Sequence, residues 1–521
     1  MNRIKSFLRN AFTRLEAALD AVFGPAWNPL VHTGALCFFC YFIVAVSGIY
    51  VYIFFDTGTA AAFDSVERMS TSQWYHAGIM RSLHRYASDG LVLFMAIHVL
   101  REFAMDRFRG PRWFTWFTGT PIIWLVFICG ITGYWLVWDK LAQYVAIATT
   151  EWLDALPFFG LPLARNFLSP TSLNDRFFTL LMFLHIALPL ILLLVLWIHL
   201  QRVSQPKITP PRGLAAGMFA MFVVLSLVKP AMSQGPADLA TVPGVVGLDW
   251  FYLGLYPLLD SLPKRDIWVL AIVLSAILAA MPWMPPMKRM PVAKVFLERC
   301  NGCARCAADC PFNAITLELR TDGRPYAREA VVDPQLCVSC GICMGTCPSS
   351  TPFPRIGDLI TGIELPHFTL LELRTMVEKS SRALSASSRV IVFGCDYAAD
   401  VTGLRSKGIA AISLPCIAML PPSLIDYCFS RDLFDGVFLT GCRENECYHR
   451  LGVTWMEQRI AGERDPYLRA RVPRERLDKF WGAATDYSKL VSAVAAFATR
   501  IEAMTNESPL PAEPHDEPRY A

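Results

Sequence analysis

The sequence predicts an all-α transmembrane bundle of six helices, followed by two small cysteine-rich domains, the first α+β and the second α/β. The chain has 521 residues, and its 54% hydrophobic content is too high for an ordinary soluble protein. Long apolar runs lie within the first 290 residues, whereas 13 of the 16 cysteines follow residue 299. Because these cysteines stand in close groups that suit metals better than disulfides, we expect a reducing compartment.

A basic amphipathic stretch, MNRIKSFLRNAFTRLEAALDAVFG, begins the chain and predicts a helix at the membrane interface, since no apolar core with a cleavage site follows it. Six apolar runs are each long enough to cross a bilayer as a helix of about 20 residues. They lie near residues 34–55, 83–104, 114–137, 177–200, 213–232 and 266–285. Lysine and arginine cluster before the first run and after the second, fourth and sixth, so both termini are expected in the cytoplasm.

Two pairs of histidines share one spacing. His84 and His98 are 14 residues apart in the second run, and His185 and His199 are 14 residues apart in the fourth. This spacing puts both histidines of a helix on nearly the same face, about 21 Å apart along the axis. We expect His84 to face His185 near the outer leaflet, and His98 to face His199 near the cytoplasmic one. Each pair suits the iron of a b-type haem, with hydrogen-bonded core histidines as the alternative.

The same interval recurs among small residues of the first and third runs. Four glycines show it: Gly34, Gly48, Gly119 and Gly133. Small residues let helices approach closely, so these are either packing glycines or part of a cofactor site. Arg81 and Arg101 lie near the ends of the histidine helix, where a guanidinium could pair with a haem propionate or reach the membrane surface.

These residues resemble the cytochrome b of quinol-oxidising bc complexes. The likeness covers about residues 15–290 and rests on Arg81-x-x-His84, His98-x-x-Arg101 and the segment WDKLAQYVAIATTEWLDALPFFG at 138–160. It implies two haems for which the glycines make room, with propionates held by Arg81 and Arg101. It also implies quinone as the substrate.

Leu248-Asp249-Trp250-Phe251 lies between the fifth and sixth runs, where the resembled family has Pro-Glu-Trp-Tyr at its outer quinone site. The second position of the motif is an acid in both and the third is tryptophan in both, while the first and last positions differ. The resemblance implies a catalytic site in which Asp249, with Trp250 beside it, exchanges a proton with quinol. A structural loop carboxylate is the alternative. Arg202 and Arg212 are low-specificity candidates for an inner quinone site.

Two copies of C-x2-C-x2-C-x3-C-P follow the last apolar run, as CNGCARCAADCP at 300–311 and CVSCGICMGTCP at 337–348. In this pattern, three cysteines of one copy and the fourth of the other hold each [4Fe-4S] cluster. The first cluster would use Cys300, Cys303, Cys306 and Cys347. The second would use Cys310, Cys337, Cys340 and Cys343. Zinc is the competing interpretation, and residues 296–350 resemble bacterial two-cluster ferredoxins.

Strand-like RVIVFGC and DGVFLTGC alternate with helical stretches and predict a small α/β domain. Cysteines placed just after buried strands converge at one edge of such a sheet. The region resembles the delta subunit of methyl-viologen-reducing hydrogenase, which implies a [2Fe-2S] cluster and a flavoprotein partner. The implied ligands are Cys395, Cys416, Cys442 and Cys447, with Cys428 left over. Zinc or simple burial is the alternative.

We therefore expect five parts. They are a cytochrome b-like membrane domain (1–290), a two-[4Fe-4S] ferredoxin-like α+β domain (291–352), a linker (353–385), a [2Fe-2S] α/β domain (386–502) and a disordered tail (503–521). The expected location is a bacterial cytoplasmic (inner) membrane, with the iron–sulfur domains in the cytoplasm.

The expected function is a membrane-bound electron-transfer subunit of a quinone oxidoreductase. Partners would be membrane lipid, quinone and a cytoplasmic flavoprotein or dehydrogenase subunit, with dimerisation left open. FGCDYAAD lacks the glycines of a dinucleotide fingerprint, so a partner must bring flavin or nicotinamide. A net charge of +4 does not suggest nucleic acid. The alternatives are an anchor without its own quinone site, and transfer from quinol to low-potential carriers driven by the membrane potential.

Overall fold

The computed structural model describes residues 2–24, 26–158, 168, 173–201, 208–284, 291–443 and 446–507. The chain folds into two compact units, Met1–Pro286 and Met287–Ala521. Of the residues discussed above, Arg202 and Gly160 lie outside the described residues, as does the end of the expected tail.

The described part of the first unit consists of helices and the loops between them. Its helices are α1 (Asn2–Phe23), α2 (Thr33–Phe54), α3 (Ala61–Ser70), α4 (Ile79–Ala104), α5 (Trp113–Val137), α6 (Lys140–Asp154), α7 (Asp175–Leu200), α8 (Arg212–Val228), α9 (Tyr256–Ser261) and α10 (Lys264–Ala280). The predicted N-terminal helix is present as α1, and helices occupy all six predicted apolar runs. Extensive contacts join α2 to α4 and α5 to α7, so each histidine helix packs along a glycine-bearing helix.

Four helical stretches among the described residues are long and apolar enough to cross a membrane: Pro29–Phe54, Trp113–Val137, Asp175–Leu200 and Lys264–Trp283. The helix α8 has only 17 residues, and α4 carries charged side chains along its length. Neither belongs to that group. The apolar helices agree with the predicted membrane part, while six crossings stay a prediction.

The second unit begins with an α+β region. The strand β1 (Lys294–Val295) pairs antiparallel with β4 (Ile363–Glu364), and β2 (Ile315–Leu319) pairs antiparallel with β3 (Arg328–Val332). Two short helices follow cysteine loops, α11 (Arg305–Ala308) and α12 (Ile342–Thr346).

The expected linker, 353–385, is folded. It contributes β4 and the helix α13 (Leu370–Arg382), which starts with a capping box formed by Thr369 and Glu372. Leu370, Leu373 and Val377 of this helix are fully buried in the core. The proline-rich composition suggested a linker, but an amphipathic helix in the same segment packs into the domain.

A parallel four-stranded sheet forms the rest of the unit, in the order β6-β5-β7-β8. Its strands are β5 (Val390–Cys395), β6 (Ile409–Leu414), β7 (Gly436–Gly441) and β8 (Leu477–Trp481), and its helices are α14 (Pro422–Ser430), α15 (Gly452–Ala461) and α16 (Tyr487–Glu507). All residues of β5 and β7 are buried, as in parallel sheets covered on both faces. Because α16 continues to Glu507, the predicted tail boundary at 503 falls inside a helix.

Candidate functional site

The paired histidines of the membrane unit lie in the helices α4 and α7. The ring centroids of His84 and His185 are 6.3 Å apart, and the ring planes are inclined by 67°. Two metal–nitrogen bonds of about 2 Å each account for about 4 Å of such a separation, and half an imidazole ring on either side accounts for the remainder. The structure thus brings His84 and His185 together, and it places His98 and His199 14 residues further along the same two helices.

Each histidine places Nδ1 against a hydroxyl group of a neighbouring helix. The partners are Ser47 for His84 (3.3 Å), Thr33 for His98 (3.2 Å), Thr132 for His185 (3.0 Å) and Thr118 for His199 (3.2 Å). The hydroxyls of Ser47, Thr118 and Thr132 donate to carbonyls of their own helices, so they accept from the imidazole. A proton fixed on Nδ1 leaves Nε2 available as a metal ligand. The side chains therefore fit the haem that the sequence predicts.

A glycine directly follows each of these hydroxyl residues. A Cβ atom would lie 2.8 Å from Cε1 of His84 at Gly48 and 3.0 Å from Cε1 of His185 at Gly133. At Gly119 and Gly34, the corresponding distances to His199 and His98 are 3.3 and 3.4 Å. The glycines therefore let an imidazole approach the helix backbone. These four hydroxyl–glycine pairs are visible in the sequence, but the spacing of the glycines alone does not reveal them.

The two arginines expected near haem propionates contact protein groups. The Arg81 guanidinium donates to Ser70, and to Oγ of Ser233 at 3.0 Å. Arg101 is buried and forms an ion pair with buried Glu16 of α1, at 2.9 Å between Nε and Oε1. Their role toward propionates stays a prediction.

Asp249 lies in a buried polar cluster. Its Oδ2 accepts hydrogen bonds from the Tyr134 hydroxyl and from Nη2 of Arg85 at 2.8 Å, and its Oδ1 accepts from the backbone N–H of Phe251 at 3.0 Å. Burial raises the pKa of this carboxyl, but the Arg85 charge and the hydrogen bonds outweigh burial and lower the pKa overall. Trp250 is 70% exposed and stands outside the cluster. Arg212, the other described quinone candidate, is the first residue of α8.

The eight ferredoxin-type cysteines line two cavities. One cavity contains all four cysteines predicted for the first cluster: Cys300, Cys303, Cys306 and Cys347. The other contains all four predicted for the second: Cys310, Cys337, Cys340 and Cys343. Each cavity thus takes three thiols from one loop and one from the other. Among the described residues, no three His, Cys, Asp or Glu side chains converge closely enough to hold a single metal ion.

The thiols of these cavities differ in burial: Cys306, Cys340 and Cys343 are buried, whereas Cys303 is exposed. Burial raises the pKa of Cys306 to about 12 and that of Cys340 to about 12. Four cysteines lining one cavity match the ligand set of an iron–sulfur cluster, which is held by cysteine thiolates. The donor set therefore fits a bound iron–sulfur cluster.

The four C-terminal cysteines meet at the carboxyl edge of the parallel sheet. Cys395 ends β5, while Cys416 and Cys442 follow β6 and β7. The thiol of Cys395 donates to the carbonyl of Pro415, the neighbour of Cys416, and the thiol of Cys442 donates to the carbonyl of Tyr397, each at 3.7 Å. A Cβ at Gly452 would lie 2.3 Å from Sγ of Cys416 and 3.5 Å from Sγ of Cys447. Cys428 lies apart from this edge, in α14.

The second ferredoxin cavity adjoins the C-terminal cysteines. Cys340 and Cys416 belong to one buried cluster with Ala418 and Trp455. A buried ion pair lies beside this cluster: Nη2 of Arg459 is 2.6 Å from Oδ2 of Asp309. The α+β region and the parallel-sheet region thus form one packed body.

Paired histidines in apolar helices, together with cysteine-lined cavities, define a membrane-bound electron-transfer protein. Comparison with known families shows which family each of three regions of the chain matches. Residues 21–206 match the family model of cytochrome b/b6/petB. Residues 299–351 match the 4Fe-4S dicluster domain, and residues 390–505 match the delta subunit of methyl-viologen-reducing hydrogenase. The three resemblances inferred from the sequence are confirmed.

Among solved structures, a chain of a hyperthermophilic respiratory complex III is similar at a TM-score of 0.40 and 20% identity. The similarity covers 49% of this chain and 75% of that chain.

Proposed function

We propose that this chain carries electrons between a soluble redox partner and membrane quinone. The observation that carries this proposal is the buried cluster that Cys340 and Cys416 share. Through this cluster, the C-terminal cysteine site adjoins the second ferredoxin site. A soluble partner would exchange electrons with the C-terminal site, which is followed by the second and then the first [4Fe-4S] cluster. The haems of the membrane unit complete the route.

The described residues would hold five redox groups. Two b haems would be ligated by the His84/His185 and His98/His199 pairs, and two [4Fe-4S] clusters by the cysteines of the two cavities. Cys395, Cys416, Cys442 and Cys447 would hold a [2Fe-2S] cluster. When bound, these groups supply one-electron transfer, while the protein supplies ligands, burial and hydrogen bonds that tune their potentials.

The partner side is proposed at the edge of the sheet that carries the C-terminal cysteines. Tyr397 and Tyr448 stack there in parallel with centroids 3.5 Å apart, and Tyr397 is 43% exposed. Sγ of Cys442 donates to the carbonyl of Tyr397 at 3.7 Å. An exposed aromatic surface in contact with a ligand residue suits docking of a flavoprotein on the cytoplasmic side. Quinone would react in the membrane unit, near the cluster around Asp249.

The test compares Cys416→Ser with Cys428→Ser in the full-length protein, purified without oxygen. Cys428 is an equally buried thiol of the same domain, but it lies outside the ligand set. We expect Cys416→Ser to abolish the [2Fe-2S] electron paramagnetic resonance signal and to slow haem reduction by a soluble flavoprotein donor. Cys428→Ser should retain both properties. Intact cluster signals in Cys416→Ser, or no haem reoxidation by a quinone analogue in the wild type, would contradict the proposal.

A further inference from the structure

Two carboxyl groups share one arginine in the membrane unit. Nε of Arg85 lies 3.4 Å from Oδ2 of Asp89 in α4, and Nη2 of Arg85 lies 2.8 Å from Oδ2 of Asp249 in the loop before α9. One guanidinium compensates the charge of one carboxylate, and a second ionised carboxylate beside it in a buried site is costly. One of the two groups therefore carries a proton.

The contacts of Asp249 favour its ionised form. Its carboxylate receives three hydrogen bonds, from Arg85, Tyr134 and the backbone of Phe251. Several donors aimed at one carboxyl stabilise the charge. Its side chain is only 2% exposed, so water has little access to this group.

The contacts of Asp89 favour its protonated form. Its Oδ2 has one cationic neighbour, Nε of Arg85, at 3.4 Å. Its Oδ1 is buried and has no hydrogen-bond donor among the described residues. A proton on Oδ1 of Asp89 removes this unsatisfied acceptor and the cost of a second buried charge.

The net charge around the pair agrees with one bound proton. The titratable groups facing Asp89 are Arg85 and Asp249, and the phenols of Tyr86, Tyr134 and Tyr252. With neutral phenols, one guanidinium balances one carboxylate but not two. The side chain of Asp89 is 14% exposed, so it is the more accessible carboxyl of the pair.

We propose that Asp89 is the residue that exchanges the proton in the quinone reaction, and that Asp249 is the positioning residue that orients it. This inference rests on the proposed quinone function and changes the role expected of Asp249. Quinone reduction would take up two protons and two electrons, the electrons supplied by the soluble redox partner. The O–H bond of Asp89 breaks, and a new O–H bond forms on one quinone oxygen. Water supplies the second proton of the quinol and then reprotonates Asp89.

The first test is stability, which does not depend on turnover. An amide at position 89 is uncharged, as the protonated acid is, so Asp89→Asn should keep the thermal midpoint and the haem content of the wild type. Asp249→Asn removes the carboxylate that faces Arg85 and should lower the thermal midpoint. The infrared band of a protonated carboxyl should vanish in Asp89→Asn. A stable Asp249→Asn together with an unstable Asp89→Asn would place the proton on Asp249 and overturn the inference.

The second test is quinone turnover. Asp89→Asn should slow it by roughly 100-fold or more, while cluster-to-haem transfer keeps its rate, and Asp89→Glu should recover part of the loss. Asp260→Asn is the matched control, because Asp260 is another acid that accepts from a tyrosine, Tyr144, at 2.6 Å. Turnover of Asp89→Asn equal to that of this control would refute the role of Asp89. A wild type inactive with quinone would instead refute the quinone function and leave the stability test standing.

Discussion

The glycines beside the histidines predict a graded loss of one haem. In Gly48→Ala, the new Cβ would lie 2.8 Å from Cε1 of His84, whereas ordinary contact begins at 3.4 Å. The imidazole or the helix must therefore move by roughly 0.6 Å, which exceeds the tolerance of about 0.5 Å for a functional constellation. We expect Gly48→Ala to lose the haem held by His84 and His185.

The other three positions form a series with decreasing effect. At Gly133 the new Cβ would lie 3.0 Å from His185, so we expect that haem to be retained in part, with an altered potential. At Gly119 and Gly34 the distances are 3.3 and 3.4 Å, and alanine should leave the haem of His98 and His199 in place. Gly217 in α8 is the matched control, because a Cβ there meets nothing within 4 Å. It reports the intrinsic gain of about 1 kcal/mol for alanine over glycine in a helix.

The pyridine haemochrome assay gives the haem content of each variant, and optical redox titration gives the haem potentials. The expected result is about one haem in Gly48→Ala and about two in Gly34→Ala and Gly217→Ala. Equal haem loss at Gly34 and Gly48 would refute the reasoning, because the two positions differ in the space beside the imidazole. Two haems of unchanged potential in Gly48→Ala would also refute the reasoning.

Two further predictions concern pairs of residues. His84→Ala and His185→Ala should each remove the same haem in optical redox titration, because the two rings lie 6.3 Å apart; loss of different haems would contradict the pairing. Arg459→Met should lower the free energy of unfolding of the iron–sulfur unit by roughly 3 kcal/mol in denaturant titration. This loss of stability is at the low end of the range for breaking a buried ion pair, because Arg464 still contacts Asp309. The side chain of Arg464 is 27% exposed, so Arg464→Met should cost about 1 kcal/mol. A larger loss of stability in Arg464→Met than in Arg459→Met would show that burial does not set these energies.

Some features of the site follow from spacing along the chain. His84 and His98 share a helix face because 14 residues are close to four turns, and the same holds for His185 and His199. The cysteine loops are similar, since three thiols separated by two residues each can line one small cavity. In these cases residues at most 14 positions apart lie in one helix or one loop, so their spacing predicts which helix face or cavity they share. The strand-following positions of Cys395 and Cys442 predicted their meeting in the same way, through the edge of a parallel sheet.

Other features depend on side chains that only packing brings together. Asp89 drew no attention in the sequence, because a single acid in an apolar helix does not indicate its partner 160 positions away. The hydroxyl–glycine pairs acquire meaning only when α2 packs on α4 and α5 on α7. The buried cluster that Cys340 and Cys416 share, and the burial of the supposed linker in the core, likewise join residues far apart in the chain. Sequence spacing determined which residues could bind metals, whereas tertiary packing decided which acid carries the proton and which metal sites are neighbours, because burial and partners come from distant elements.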